Sequence, residues 1–142
     1  MDIREKLIRE WFGALGAREF DRLPDLLTDD AEMLLVHWDQ ESVNAHTTVE
    51  YDNPLVGRAA IVALYTRSAD IFSRLTFDID LVHLVEGGDR AVVEYRSDGI
   101  AASTGKPYRN TYCAIFEFRD GQIRLWKEYH DPAEYDRAFS KD

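Results

Sequence analysis

The stretch YRNTYCAIFEFRDGQIRLWKEYHDP, residues 108–132, is the most informative part of this chain for predicting its fold. It contains two runs with strand character, separated by RDG at 119–121, which is a signal for a tight hairpin turn. Side chains of a strand alternate between its two faces. In the second run Trp126, Glu128 and His130 therefore share one face. The functional question is whether that face lines a pocket or contacts bulk water.

The remaining chain predicts helices first and strands afterwards. Apolar periodicity indicates a helix near the N-terminus, a second short helix around residues 20–27 and a third at Gly57–Phe72. The predicted strands are Ala31–His37, residues 46–51 after a polar loop, Leu75–Val85, Ala91–Ala101, Pro107–Arg119 and Gln122–His130. A last helix is capped by Asp131. This order predicts one α+β domain over residues 1–142, in which a curved antiparallel sheet and its N-terminal helices enclose a conical pocket.

Composition narrows the function classes. The chain has 17 basic and 27 acidic residues among 142, a net charge of −10, so it is expected to repel nucleic acid. The charged N-terminus does not resemble a signal peptide, and no apolar run would span a membrane. The single Cys113 and the scattered histidines predict neither a metal site nor a cofactor. We expect a cytoplasmic protein without nucleic-acid or membrane partners.

On the stretch above, on YDNPLVGRAAI at 51–61 and on its helices-first order, the chain resembles the nuclear transport factor 2-like superfamily, also called cystatin-like, in its SnoaL-like branch. The resemblance covers nearly the whole chain. It implies the conical pocket but no single reaction, because the superfamily includes ketosteroid isomerases, polyketide cyclases, epoxide hydrolases and non-catalytic members. The two acidic residues that ketosteroid isomerases use for catalysis correspond to Asn53 and Ala114 in this sequence. Because neither residue is an acid, ketosteroid isomerase chemistry is not expected.

Limonene-epoxide hydrolase is a closer resemblance. Its Tyr-x-Asn pair matches Tyr51 and Asn53, and Glu128 occupies the position of its last-strand carboxylate. That family also needs an inward Arg-x-Asp, which Arg96 and Asp98 would supply only if the register of their strand shifted by one residue. The unshifted alternation places the uncharged neighbours inward instead.

The resemblance and the alternation together predict a small-molecule site. Its expected catalytic residues are Glu128, His130, Tyr51 and Asn53. Its expected substrate-binding residues are Trp126, Tyr112, Asn110, Phe116, Tyr95 and Ser97. Aromatic walls would desolvate Glu128 and raise its pKa, which suits general acid–base chemistry on a small apolar substrate, either water addition or proton transfer.

Two alternatives stay open at this point. Glu128 could face outward and pair with Arg96 or Arg124, leaving a non-catalytic ligand-binding or dimerisation module of the same fold. Whether the chain is an enzyme is therefore undecided by the sequence. The outer face of the sheet, with Cys113 and Tyr129, would be exposed to solvent in a monomer. A second copy of the chain would bury it, and we therefore expect a homodimer.

Overall fold

The computed structural model describes residues 1–36 and 53–141. The helices in these ranges are α1 (Ile3–Gly16), a 3₁₀ turn (Phe20–Arg22), α2 (Leu23–Leu26), α3 (Arg58–Ile71) and α4 (Pro132–Phe139). The strands are β1 (Leu27–Leu35), β2 (Leu55–Val56), β3 (Phe72–Leu84), β4 (Arg90–Ala101), β5 (Pro107–Tyr108), β6 (Thr111–Arg119) and β7 (Gln122–His130). Tyr51, the predicted strand at 46–51 and the polar loop before it lie outside the described residues.

The strands form one strongly curved sheet in the order β2-β1-β7-β6-β4-β3, with β5 paired to β4. Every pairing is antiparallel except that of β1 with β7, which is parallel. The predicted α+β architecture is confirmed. The parallel pair was not predicted, because it joins strands from opposite ends of the chain and leaves no local sequence signal.

Local sequence explains where the key elements begin and turn. Asp120 and Gly121 both have positive φ, 53° and 75°, as the two-residue turn between β6 and β7 requires. Asp131 accepts a hydrogen bond from the backbone N–H of Ala133 and so caps α4. The predicted strand at Pro107–Arg119 is divided, because residues 109 and 110 leave the sheet between β5 and β6.

The main core lies between α1 and the concave face of the sheet. Trp11 and Ile8 of α1 are fully buried there against Phe116 and Trp126. A smaller cluster joins α4 to the start of β3 through Phe139 and Phe72. These two clusters leave a space between them, and the candidate site is found there.

The outer face of the sheet is less well covered. Cys113 is exposed, and Ile115, Leu125 and Tyr129 are half-buried. The homodimer that this face suggested stays a prediction. Among the described helices, none has the length and apolar character that crossing a bilayer would take. Within the same residues, no group of three potential metal ligands lies together.

Candidate functional site

Glu128 lies on the inner face of the curved sheet. Its strand, β7, is central, with Leu35 of β1 on one side and Ala114 of β6 on the other. The side chain is 8 % exposed, and its neighbour along the same face, Trp126, is 2 % exposed. The alternation expected from the sequence is therefore present. The outward alternative is not found, since Arg124 pairs with Glu117 on the other face.

Glu128 forms part of the wall of a cavity of about 90 Å³. A single water needs about 10–15 Å³, so this volume is large enough for several waters or for part of a small organic molecule. Most of the lining is aliphatic or aromatic, and it comes from both ends of the chain. The described lining residues are Met33, Leu35, Leu64, Tyr65, Ser68, Ile71, Phe72, Leu75, Phe77, Tyr108, Tyr112, Trp126, Glu128, His130 and Tyr135.

Tyr95 donates a hydrogen bond from its hydroxyl to Oε1 of Glu128. The two residues are not on adjacent strands, because β6 runs between β4 and β7. Tyr95 is paired on β6 with Tyr112, and Glu128 is paired with the next residue on the same face of β6, Ala114. Its methyl group is small enough for the tyrosine to reach across. Among residues 1–36 and 53–141, Tyr95 is the one side chain that hydrogen-bonds to this carboxyl.

Burial raises the pKa of Glu128 from 4.5 to about 7, because the protein interior solvates a carboxylate poorly. The hydrogen bond from Tyr95 opposes this change, since it stabilises the charged form. No described cation lowers the pKa further. Burial also raises the pKa of Tyr95 well above its ordinary value, and the nearby Glu128 adds to the effect, so Tyr95 stays a donor at neutral pH. Glu128 can therefore release and recover a proton near pH 7.

Trp126, next to Glu128 on the same face of β7, is held in a cluster of aromatic rings beside the cavity. Trp126 stacks on Tyr65 at 5.5 Å and on Phe116 at 5.8 Å between ring centroids, with 13° between the planes in both pairs. Trp11 meets Trp126 edge-on at 5.3 Å. Phe116 is fully buried and supports Trp126 instead of lining the cavity. These rings exclude water and explain why desolvation dominates at Glu128.

A second group of hydroxyls lies beside the first. The Tyr112 ring stacks on Tyr95 at 4.6 Å, and its hydroxyl lies 2.8 Å from Ser97 Oγ. Tyr112 also donates to Tyr108 Oη at 3.2 Å. Tyr108 and Tyr112 line the cavity, whereas Ser97 is buried behind them. Polar groups that can contact a ligand are thus present beside an otherwise apolar surface, as is usual in small-molecule sites.

Asn110 is 1 % exposed and has all its amide groups engaged. Its Nδ2 donates to Tyr108 Oη at 2.8 Å and to the Asp131 carbonyl at 3.0 Å. Its Oδ1 accepts from the backbone N–H of Thr111 and of Asp131 at 2.8 and 3.0 Å. The predicted contact with substrate is not part of this arrangement. Instead, Asn110 bridges β6 and the start of α4.

The residues expected from the epoxide-hydrolase resemblance lie elsewhere. Asn53 is exposed and uses both groups of its amide on the backbone of Leu35, at 3.0 Å each. Arg96 is on the outer face with Asp80 at 2.8 Å, and Asp98 pairs there with Arg74.

The register shift that would turn Arg96 and Asp98 inward is absent, since Tyr95 pairs with Tyr112 and Arg96 with Thr111. Tyr95 and Ser97 are the buried residues of this strand segment, as the unshifted alternation predicts. His130 is half-buried at the end of β7 and lines the same cavity as Glu128.

Sequence reasoning missed three tyrosines of the cavity wall. The sequence predicts a continuous strand through Tyr108, whereas Tyr108 ends β5 and lines the cavity. Tyr65 falls within the helix predicted at Gly57–Phe72 and Tyr135 within the predicted last helix, and neither helical pattern indicates a cavity. The usable signal was composition, because buried tyrosines need partners for their hydroxyls and this chain has seven.

Comparison with known proteins gives the same architecture. A family model described as "SnoaL-like domain" matches residues 8–126. The uncharacterized protein YesE of Bacillus subtilis is 26% identical over 116 residues, covering 80% of this chain and 79% of YesE.

Two solved structures are similar over almost the whole chain. The structure of a proposed isomerase from Bacillus subtilis superposes with a TM-score of 0.83 at 21% identity, covering 98% of this chain and 96% of that one. A proposed polyketide cyclase from Xanthomonas campestris gives a TM-score of 0.78 at 23% identity, with 97% of each chain covered. At these identities the likeness shows the fold alone.

Proposed function

The chain belongs to the SnoaL-like domain family, and from this premise we propose that it is a cofactor-independent enzyme that transfers protons on a small apolar substrate. Glu128 is the general acid and base. One observation carries the proposal: the Glu128 carboxyl, in the cavity wall and buried among aromatic rings, has a pKa of about 7. General acid–base catalysis is most effective when the pKa of the catalytic group is close to the working pH.

A purely structural role does not account for Glu128. Buried carboxylates that stabilise a fold are paired with cations or with several donors, because an unpaired buried charge is costly. Glu128 accepts from one neutral hydroxyl, and none of the described lining residues is a lysine or arginine. Strongly perturbed carboxyls in clefts are more often found at functional sites. The free-energy cost of burying Glu128 with one hydrogen-bond partner is explained if its proton takes part in catalysis.

Proton transfer at carbon is better supported than water addition. Among the described residues, Asn53, Arg96 and Asp98 do not reach the cavity, so the set that would hold a water and activate an epoxide is incomplete. The cyclase- or isomerase-like route needs only a base and an oxyanion donor. Two of the solved neighbours, the proposed isomerase and the proposed polyketide cyclase, are consistent with it.

The reaction balances without a cofactor. The Glu128 carboxylate removes a proton from a carbon next to a carbonyl, which leaves an enolate and a neutral glutamic acid. Where the substrate has a C=C bond one carbon further from the carbonyl, the enolate is conjugated with it and recovers the proton at the far carbon of that bond, which moves the double bond and isomerises the substrate. In a cyclisation, the enolate instead attacks a second carbonyl and the resulting alkoxide takes the proton. In this proposal His130, which lines the same cavity, orients Glu128 or returns a proton to the substrate.

Deuterium exchange tests this without knowledge of the natural substrate. Acetophenone carries exchangeable methyl hydrogens next to its carbonyl, and ¹H NMR in D₂O follows their loss. We expect the protein to accelerate exchange and Glu128→Gln to lose at least about 100-fold of that acceleration. Glu86→Gln is the matched control, because Glu86 is exposed in the turn between β3 and β4. Equal acceleration by Glu128→Gln and the parent protein would refute the proposal.

The alternative is a ligand-binding or dimerisation module without catalysis. It is favoured by one observation, namely that Trp126, Phe116 and Tyr65 fill much of the concave space and leave a cavity of about 90 Å³. Saturable binding of acetophenone without any accelerated exchange would select the binding module. Absence of both would select the dimerisation module.

A further inference from the structure

Tyr108 is the last member of a hydrogen-bond chain that ends at the cavity. The hydrogen-bond chain begins at Asn110 and Ser97, which form two hydrogen bonds with each other. Ser97 N–H donates to the Asn110 carbonyl at 3.0 Å, and Asn110 N–H donates to Ser97 Oγ at 3.2 Å. From Ser97 Oγ the contacts run to Tyr112 Oη at 2.8 Å and from there to Tyr108 Oη at 3.2 Å. The starting point is therefore rigid.

Counting hydrogens shows the direction of this chain. A tyrosine hydroxyl has one hydrogen to donate and can accept two hydrogen bonds. Tyr108 Oη accepts from Tyr112 and, at 2.8 Å, from Nδ2 of Asn110, so both acceptor positions are used. Because Tyr112 gives its hydrogen to Tyr108, Ser97 must give its own to Tyr112. The hydroxyls of Ser97 and Tyr112 then both donate along the hydrogen-bond chain toward Tyr108.

By this count, the hydroxyl hydrogen of Tyr108 is the one for which the hydrogen-bond chain provides no acceptor. Among residues 1–36 and 53–141, no atom accepts a hydrogen bond from it, although the residue is only 4 % exposed. Tyr108 lines the cavity, so an acceptor can approach from there. Burial raises the pKa of Tyr108 above its ordinary value, which keeps this hydrogen in place at neutral pH. Successive donors also polarise one another, so the last donor of a chain is the strongest.

We propose that the Tyr108 hydroxyl donates a hydrogen bond to a carbonyl or enolate oxygen of the ligand, so that the cavity takes uncharged ketones or esters with an apolar body. Tyr112, Ser97 and Asn110 are positioning residues that orient this donor. The inference rests on the proposed function in one respect, since it takes the Glu128 cavity as the ligand site. It adds the group that binds oxygen on the wall shared with Glu128.

The lining chemistry supports an uncharged ligand. Its described side chains include no lysine or arginine that would hold a carboxylate or phosphate, and Glu128 itself repels anions once ionised. To bind a neutral carbonyl oxygen, the cavity needs only a hydrogen-bond donor. When a base removes a neighbouring proton, negative charge develops on that oxygen, and a buried neutral donor stabilises it without prior reorganisation.

The test compares two ligands of nearly the same shape, acetophenone and α-methylstyrene, in which a C=O is replaced by C=CH₂. Their dissociation constants are measured by NMR titration at pH 6, and the infrared carbonyl stretch of bound acetophenone is recorded. Tyr108→Phe should reduce the preference for acetophenone by about two- to tenfold, the range for one hydrogen bond. The carbonyl stretch should move to higher frequency, and α-methylstyrene affinity should not change.

Two further variants complete the design. Tyr65→Phe is the matched control, because Tyr65 also lines the cavity but directs its hydroxyl to Met33 Sδ at 3.3 Å, and its ketone preference should equal the parent value. Tyr112→Phe keeps the Tyr108 donor and removes the neighbour that polarises it, so the preference should fall by a smaller factor. If Tyr108→Phe lowers neither the preference nor the hydrogen-bond shift of the carbonyl, the inference is wrong.

The outcome is separable from that of the proposed function. Binding preference needs no turnover, and deuterium exchange is measured through Glu128. A protein whose exchange depends on Glu128 but whose ketone preference ignores Tyr108 would retain the proposed function and lose this inference. The opposite result would leave Tyr108 as the oxygen-binding group of a non-catalytic site.

Discussion

Glu128→Gln should stabilise the protein relative to the parent, and this difference in stability should grow as the pH rises. The ordinary pKa of a glutamic acid side chain is 4.5, and burial raises the pKa of Glu128 to about 7 in the folded protein. Its folded pKa is raised, so folding favours the protonated form. The contribution of this group to stability is complete below pH 4.5, is lost as the pH rises, and levels off above about pH 7. A difference of about 2.5 pH units at about 1.36 kcal/mol each gives a loss of about 3 kcal/mol.

Glutamine removes this pH dependence without changing the shape of the side chain. It is neutral at every pH, and its amide oxygen can accept a hydrogen bond from the Tyr95 hydroxyl, as the carboxyl does. The difference in the free energy of unfolding between the variant and the parent should therefore grow by about 2–3 kcal/mol between pH 5 and pH 8. Other titrating groups cancel in this difference, because both proteins carry them.

Urea denaturation at pH 5, 6, 7 and 8 measures the effect through the midpoint concentration and the slope. The slopes of the two proteins should agree, since the surface exposed on unfolding is the same. Glu86→Gln, at an exposed turn, should differ from the parent by a constant amount. A Glu128→Gln difference that is also constant from pH 5 to pH 8 would show that Glu128 is not desolvated in solution.

Four other substitutions test separate parts of the structure. Tyr95→Phe removes the bond that lowers the pKa of Glu128, so the ¹³C NMR titration midpoint of that carboxyl should move above 7, and an unchanged midpoint would contradict the assignment. Asn110→Ala leaves several buried partners without a bond and should cost at least about 3 kcal/mol in urea denaturation, with faster amide exchange at the start of α4; normal exchange there would contradict the bridging role. Gly99→Ala places a methyl 2.5 Å from a backbone oxygen of β3 and should destabilise by about 1–3 kcal/mol. Gly13→Ala, in the interior of α1 where the added methyl meets nothing, should instead stabilise by roughly 1 kcal/mol, and thermal melting would show whether the two signs differ.

The orientation of Glu128 could be predicted because it depends on local signals. The turn at Asp120 and Gly121 brings β6 and β7 together, and from Leu125 to His130 the two strands pair without a register shift, so side chains alternate over that segment. Trp126 then marks which face is buried. The same reasoning placed Tyr95 inward, because the alternating apolar residues of β4 leave one self-consistent choice.

The partners within the site could not be predicted. The bond between Tyr95 and Glu128 crosses an intervening strand and depends on sheet curvature and on the small side chain of Ala114. The position of Tyr108 depends on the break after β5, where Asn110 leaves the sheet and binds the start of α4. Both are long-range features, and a tyrosine in a sequence does not reveal which acceptor its hydroxyl will find.

Stability and catalysis must report the same ionisation if Glu128 is the base. The pH dependence of kcat/KM gives the pKa of the free enzyme's essential group, and the pH dependence of unfolding gives the pKa of Glu128 in the folded, unliganded protein. The two midpoints should both lie near 7 and should move together in Tyr95→Phe. A stability midpoint near 7 combined with a rate midpoint elsewhere would mean that the enclosure by aromatic rings perturbs Glu128 while a different group moves the proton. Agreement in both proteins would tie the cost of burying this carboxyl directly to the chemistry that it performs.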